Sequence, residues 1–191
     1  MKKIILASTS PRRKEILSLI GVKFQVVASD YEEDMTLKMK PTELAKLLSK
    51  GKAQALAKKY FKHIIIGADT FVIHNNKLMG KPTSKSDAKR MLTKISGEKL
   101  VILTGFTIID TESNKTISKS VKTNAYIKKL TPKEIDNYIK TKEPLDKAGA
   151  FAIQGIGSMI IRKIEGDFFS AVGLPLFSLA QELKKFGIHL L

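Results

Sequence analysis

Neither cysteine nor tryptophan occurs among the 191 residues, and Phe and Tyr together account for only 7% of them. Without cysteine there is no thiolate nucleophile, no thiolate-ligated zinc site and no disulfide or other thiol redox role. Long apolar runs are missing too. The opening MKKIILASTS holds two lysines and a short apolar stretch that stops before Ser8 and Pro11, less than a secretory signal or a membrane span requires, so a soluble, cytoplasmic chain is expected. No Pro/Gly/Ser-rich linker, repeat or low-complexity tract interrupts the sequence, and residues 1–191 are expected to form a single domain. A chain of this length buries roughly 70% of the surface its unfolded form exposes and needs neither disulfides nor a structural metal.

Arginine is scarce as well: only four of the 34 basic residues are Arg, and the remaining Lys are scattered singly or in pairs across a chain of net charge +16. Base-edge and stacking contacts draw on Arg and aromatics, so dispersed Lys reads first as solvated surface and only second as a nucleic-acid-binding face. Either way, the net charge favours encounter with phosphate-bearing small molecules.

What is present alternates between strand and helix patterns. Strands are expected at Lys3 to Ala7, Lys23 to Ala28 and His63 to Gly67, then a hairpin of Phe71 to Ile73 and Lys77 to Met79 around Asn75-Asn76. Leu100 to Ile109 and Thr116 to Ile127 form two long strands joined by a polar turn, and Met159 to Ile164 another. Helices are expected from Pro11 to Gly21 with Ser10 as N-cap, from Pro41 to about Tyr60, from Ser84 to Lys94, from Thr131 to about Thr141 behind a capping box, and from Pro175 to Phe186. The fold class is α/β with a twisted mixed sheet and flanking helices.

Four segments carry chemistry. Ser8-Thr9-Ser10-Pro11-Arg12-Arg13 joins a strand end to a helix start and places hydroxyls and half of the arginines there, a cradle for an anion or simply a capped helix with two surface cations. Asp30-Tyr31-Glu32-Glu33-Asp34 packs four of the 18 acidic residues into five positions. It reads equally as a solvated turn or as a carboxylate source for a hard cation such as Mg²⁺ or Mn²⁺. Gly67-Ala68-Asp69-Thr70 follows a buried strand and offers Asp69 where α/β sheets place ligands, against the ordinary reading of an Asp opening a turn. A hairpin there could return Lys81 of Gly80-Lys81-Pro82 as a phosphate cation. Glu143 to Gly157 has neither helix nor strand period and reads as a long ordered loop, in which the Gln154 amide offers a donor and an acceptor to a base edge. Gly166-Asp167 and Val172-Gly173-Leu174-Pro175 read as turns.

These segments, with Ser96-Gly97 and Thr104-Gly105 between them, follow the order and approximate spacing of the Maf family of nucleoside triphosphate pyrophosphatases, some described as septum-formation inhibitors, and the chain resembles that family over nearly its whole length. The resemblance implies hydrolysis between the α and β phosphates with a divalent cation, Mg or Mn. It implies Asp69 as the base or metal-holding carboxylate and Glu33 as its acidic partner at the metal. Ser8, Arg12, Arg13, Lys52 and Lys81 fall at phosphate-facing positions, and Arg12, Thr70 and Gln154 fall where the dTTP- and UTP-preferring branch sets base choice. The fold implied has two lobes around a deep cleft, similar to the inosine triphosphate pyrophosphatases. The partner expected is a nucleoside triphosphate, with a homodimer as the assembly considered, no membrane, and nucleic acid set second. Two departures stand out: Leu100 occupies the region after Ser96-Gly97 where many relatives carry His, and Phe151 stands where Tyr is frequent. The competing readings are a nucleic-acid-binding protein and a nucleotide-binding regulator of division without turnover.

Overall fold

The computed structural model describes residues 2–34 and 37–190. Strands β1 (Lys3–Ala7), β2 (Phe24–Val27), β3 (His63–His74), β4 (Lys77–Met79), β5 (Lys99–Asp110), β6 (Thr116–Ile127) and β7 (Ile161–Glu165) alternate with helices. The helices are α1 (Pro11–Ser18), α2 (Pro41–Ala57), α3 (Lys85–Ile95), α4 (Pro132–Lys140), α5 (Phe168–Val172) and α6 (Leu176–Leu183). The strands form one sheet in the order β2-β1-β3-β5-β6-β7, with β4 paired to β3 off that path. β1 runs parallel to both β2 and β3, whereas β4 on β3 and β7 on β6 are antiparallel. The mixed sheet is thus the one the sequence pattern implies. Among the described residues no helix is long and apolar enough to cross a membrane.

The chain divides into two compact units. The first comprises Met1–Thr70, Leu103–Val121 and Phe169–Leu191, the second Phe71–Ile102 and Lys122–Phe168. In the first unit Ile64, Ile65 and Ile66 are fully buried beside Ile5 and Leu6, each such side chain contributing about 1.5–3 kcal/mol relative to exposure. Helix α2 buries Leu44, Leu48, Ala53 and Leu56 on this sheet, and two glycines let it come close. A Cβ on Gly67 of β3 would collide with the Ser49 carbonyl oxygen, and one on Gly105 of β5 with the Ala45 carbonyl oxygen.

In the second unit the capping box at α4 forms as the sequence implies, with the Thr131 side chain and Glu134 each satisfying the other's backbone N–H. Ser84 caps α3 through Asp87. Leu100 is fully buried in β5 and Phe151 is 4% exposed, so both departures from the family pattern are apolar core positions.

Several boundaries differ from the sequence reading. β3 does not end at Gly67 but runs unbroken to His74. Gly67 is there for the close approach of α2, not for a turn, so Asp69 lies inside a strand and not after one. Ser10 holds the N-cap position of α1 without a side-chain cap, and its backbone N–H donates to the Ser8 hydroxyl at 3.2 Å. The segment 143–160 folds as three short 3-10 turns, Glu143–Asp146, Ala148–Ala150 and Gly155–Ile160. Helix α5 lies between the two segments that read as turns and shares only Val172 with them, and α6 ends at Leu183.

Candidate active site

The first unit gathers most of the residues singled out. Lys52, on α2, is only 13% exposed and reaches Asp69 Oδ1 at 2.5 Å and Glu33 Oε1 at 2.7 Å. Asp69 is buried on β3, while Glu33 keeps 40% of its side chain in solvent. Glu33 is brought here by its neighbours: the Ser29 hydroxyl donates to the Lys52 carbonyl at 3.3 Å, and the Tyr31 ring lies so closely on Gly51 that a Cβ there would strike it. The acidic run therefore splits. Asp30 turns outward to an exposed pair with Lys59, and Glu33 turns inward to Lys52.

Beside this triad, Arg13 is held at three points. Its Nε donates to the Gly173 carbonyl at 2.9 Å, one terminal nitrogen to the Ser8 hydroxyl at 3.3 Å, and the other to the Thr70 hydroxyl at 3.2 Å. Thr104 donates its hydroxyl proton to the Ser170 carbonyl at 2.8 Å. Thr70, 2.9 Å from Thr104, must therefore be the donor in that pair, leaving its own oxygen to accept from Arg13. Desolvation pulls the Arg13 guanidinium below its ordinary range, while the fields of Asp69 and Glu33 oppose the shift and Arg12 adds to it. A guanidinium remains cationic under these conditions. Arg12 itself is half-buried next to it on α1.

A partly desolvated Arg, a Lys and two carboxylates in one place suit a polyphosphate. The cations neutralise phosphate oxygens, and the carboxylates supply the hard oxygen donors that Mg²⁺ or Mn²⁺ takes alongside substrate phosphates. Among the described residues no group of three or more His, Asp or Glu side chains is placed to hold a metal alone.

Lys81 and Gln154 belong to the second unit, where both are exposed. Within that unit the Gly149 N–H donates to the Gly80 carbonyl at 3.0 Å, tying the segment that carries Lys81 to the turn that precedes Gln154. The sequence reading passes over Gly51, and it names Tyr31, Thr104 and Gly173 only inside longer segments, with no role at the site. The signals that could have found them are faint: a Tyr inside an acidic run, and a glycine in mid-helix.

Comparison with known proteins places the chain. A family model described as Maf-like protein matches residues 3–186. A Methanosarcina barkeri protein named dTTP/UTP pyrophosphatase is 48% identical over 191 residues, covering 100% of this chain and 97% of its own. A Bacillus anthracis protein of the same name is 45% identical over 188 residues, covering 98% and 97%. Among solved structures, a HAM1 protein from Coxiella burnetii superposes with a TM-score of 0.45 at 12% identity, over 66% of this chain and 73% of its own, a partial likeness on which nothing further rests.

Proposed function

The chain belongs to the Maf family, and from that membership we propose that it hydrolyses nucleoside triphosphates, dTTP and UTP by preference, to the monophosphate and pyrophosphate. The observation that carries the reading is the Asp69–Lys52–Glu33 cluster beside the anchored Arg13.

Hydrolysis of a phosphoanhydride is chiefly a matter of positioning and of charge neutralisation. In the reading proposed, Ser8, Arg12 and Arg13 bind the phosphate chain, with Arg13 presented at a fixed angle because all three of its anchors lie within one unit. Asp69, held through Oδ1 by Lys52, uses its second oxygen to orient a water and take its proton. The water oxygen bonds to the α-phosphorus, the bridging bond to the β-phosphate breaks, and pyrophosphate leaves. Glu33 and Asp69 are the residues proposed to hold Mg²⁺ or Mn²⁺, which when bound would withdraw charge from the phosphate oxygens. Lys52 balances both carboxylates until substrate arrives. Lys81 is assigned to the phosphates, and Arg12, Thr70 and Gln154 to base choice, on the strength of the family resemblance.

The test is product analysis with the purified protein and Mg²⁺ or Mn²⁺. Pyrophosphate is expected as the first product, with dTTP and UTP hydrolysed faster than ATP or GTP and turnover lost in excess EDTA. Orthophosphate as the first product, or full rate in EDTA, overturns the reaction. A preference for GTP overturns the substrate class. Nucleotide binding without any product is the outcome that would favour a non-catalytic regulator.

A further inference from the structure

The base-choice assignment leaves a question that the second unit answers. Gln154 is exposed, at the start of the 3-10 turn Gly155–Ile160, and its own side chain makes no cap on that turn. Base reading by an amide demands a fixed backbone beneath it, since a donor and an acceptor exchange places when the side chain swings round.

The fixed point is Glu143. This half-buried carboxylate accepts from the Gly157 N–H at 2.8 Å and from the Tyr138 hydroxyl at 2.9 Å through Oε1, and from the Ile156 N–H at 3.0 Å through Oε2. Tyr138, itself buried at 4% exposure, accepts in turn from the Ala152 N–H at 3.1 Å. The backbone is thus captured on both sides of Gln154, directly after it and through one hydroxyl before it. Gly155 takes a φ of +70°, and a Cβ there would run into the Glu143 carboxylate, so the chain closes over the carboxylate at the residue next to Gln154. Charge-assisted bonds of this kind are about twice as strong as neutral ones.

Taking the base-choice reading of Gln154 as its premise, we propose that Glu143 is the positioning residue for nucleobase selection: its carboxylate, with the Tyr138 hydroxyl, sets the loop orientation from which Gln154 pairs with a uracil-type edge. Glu143 touches no substrate in this arrangement. It acts on selectivity through the backbone, and so it should influence the choice between nucleotides more than turnover in general.

The experiment measures kcat/KM for UTP and for GTP in the full chain, for wild type, Gln154→Ala, Glu143→Gln and the double variant, under one metal and salt condition. Gln154→Ala is expected to lower the UTP/GTP ratio about 10-fold or more, because an unpaired polar group discriminates strongly. Glu143→Gln keeps shape but turns one acceptor into a donor facing a backbone N–H, and is expected to lower the same ratio about 5-fold. The double variant should fall no lower than Gln154→Ala alone, since the two act as one unit. Tyr138→Phe, a milder change, should move the ratio in the same direction by about 2-fold. Equal losses on UTP and GTP in Glu143→Gln and Tyr138→Phe, or an effect that multiplies with Gln154→Ala, overturn the positioning role while leaving the base reading intact. An unchanged ratio in Gln154→Ala itself overturns the base reading, and the positioning role with it.

Discussion

The two regions that carry candidate site residues are held in place by opposite means. In the first unit the anchored side chains are themselves the charges offered to a ligand: Lys52 lies between Asp69 and Glu33, and Arg13 rests on two hydroxyls and one carbonyl. In the second, one carboxylate holds neutral backbone amides, and the residue it serves stands alone in solvent. The first arrangement puts charge where a polyanion needs it, so damage to it should reach every triphosphate alike. The second fixes an orientation without adding charge at the point of contact, so damage to it should appear as a change in preference.

The comparison breaks most visibly at Asp69. Asp69→Asn is expected to reduce turnover of UTP and GTP by the same factor, about 10²-fold or more, with circular dichroism and melting temperature showing a folded protein. A loss confined to one nucleotide would mean that Asp69 itself takes part in base choice. Gly67→Ala should come next: overpacking against the Ser49 carbonyl costs about 1–3 kcal/mol, measured by urea unfolding.

Thr104→Val removes the donor to the Ser170 carbonyl and the acceptor for Thr70. Leaving those buried groups unpaired costs about 1–3 kcal/mol and loosens one of the three anchors of Arg13. The expected kinetic result is a higher KM for all triphosphates, read from steady-state curves.

Acid provides a gentler test. Burial raises the Asp110 carboxyl, but bonds from Lys2, Ser113 and the Glu112 N–H outweigh it and hold the folded-state value at about 2, below the ordinary 3.8. A depressed carboxylate stabilises above its unfolded value and loses that contribution as pH falls through the folded one. Melting temperature should therefore drop between about pH 4 and pH 2, and Asp110→Asn should flatten that stretch of the curve. Smallest of all is Asp30→Asn, which breaks only the exposed pair with Lys59 and should leave UTP turnover within about twofold of wild type. A large loss there would restore the acidic run as one functional block.

Legibility in the sequence follows the same division. Strand β6 and the capping box at Thr131 stand where local pattern puts them, because alternation and caps are properties of neighbouring residues. Charged and hydroxyl groups of the first unit are legible too, as unusual residue types in unusual places. Hidden are the contacts whose partner is a backbone group. The Arg13 bond to Gly173 spans 160 positions, and a carbonyl acceptor leaves no mark on residue type. Gly67 reads as a strand end because a glycine required for close packing looks the same in sequence as one required for a bend. Helix α5, five residues long, is too short to show a period. The two halves of the acidic run differ only in what they meet after folding.

The two glycines under α2 bear on more than packing. Ala45 lies seven residues before Lys52, roughly 10 Å along the same helical face, and Gly67 lies two residues before Asp69 on the strand below. The depth at which the helix rests on the sheet therefore works as a gauge for the gap across which Lys52 meets Asp69. A methyl group at Gly105, a position with no charge and no proton to exchange, would act like a shim under a lever, lifting the ammonium away from its carboxylate. The two positions without side chains under α2 are thereby tied to the chemistry as firmly as the charges themselves.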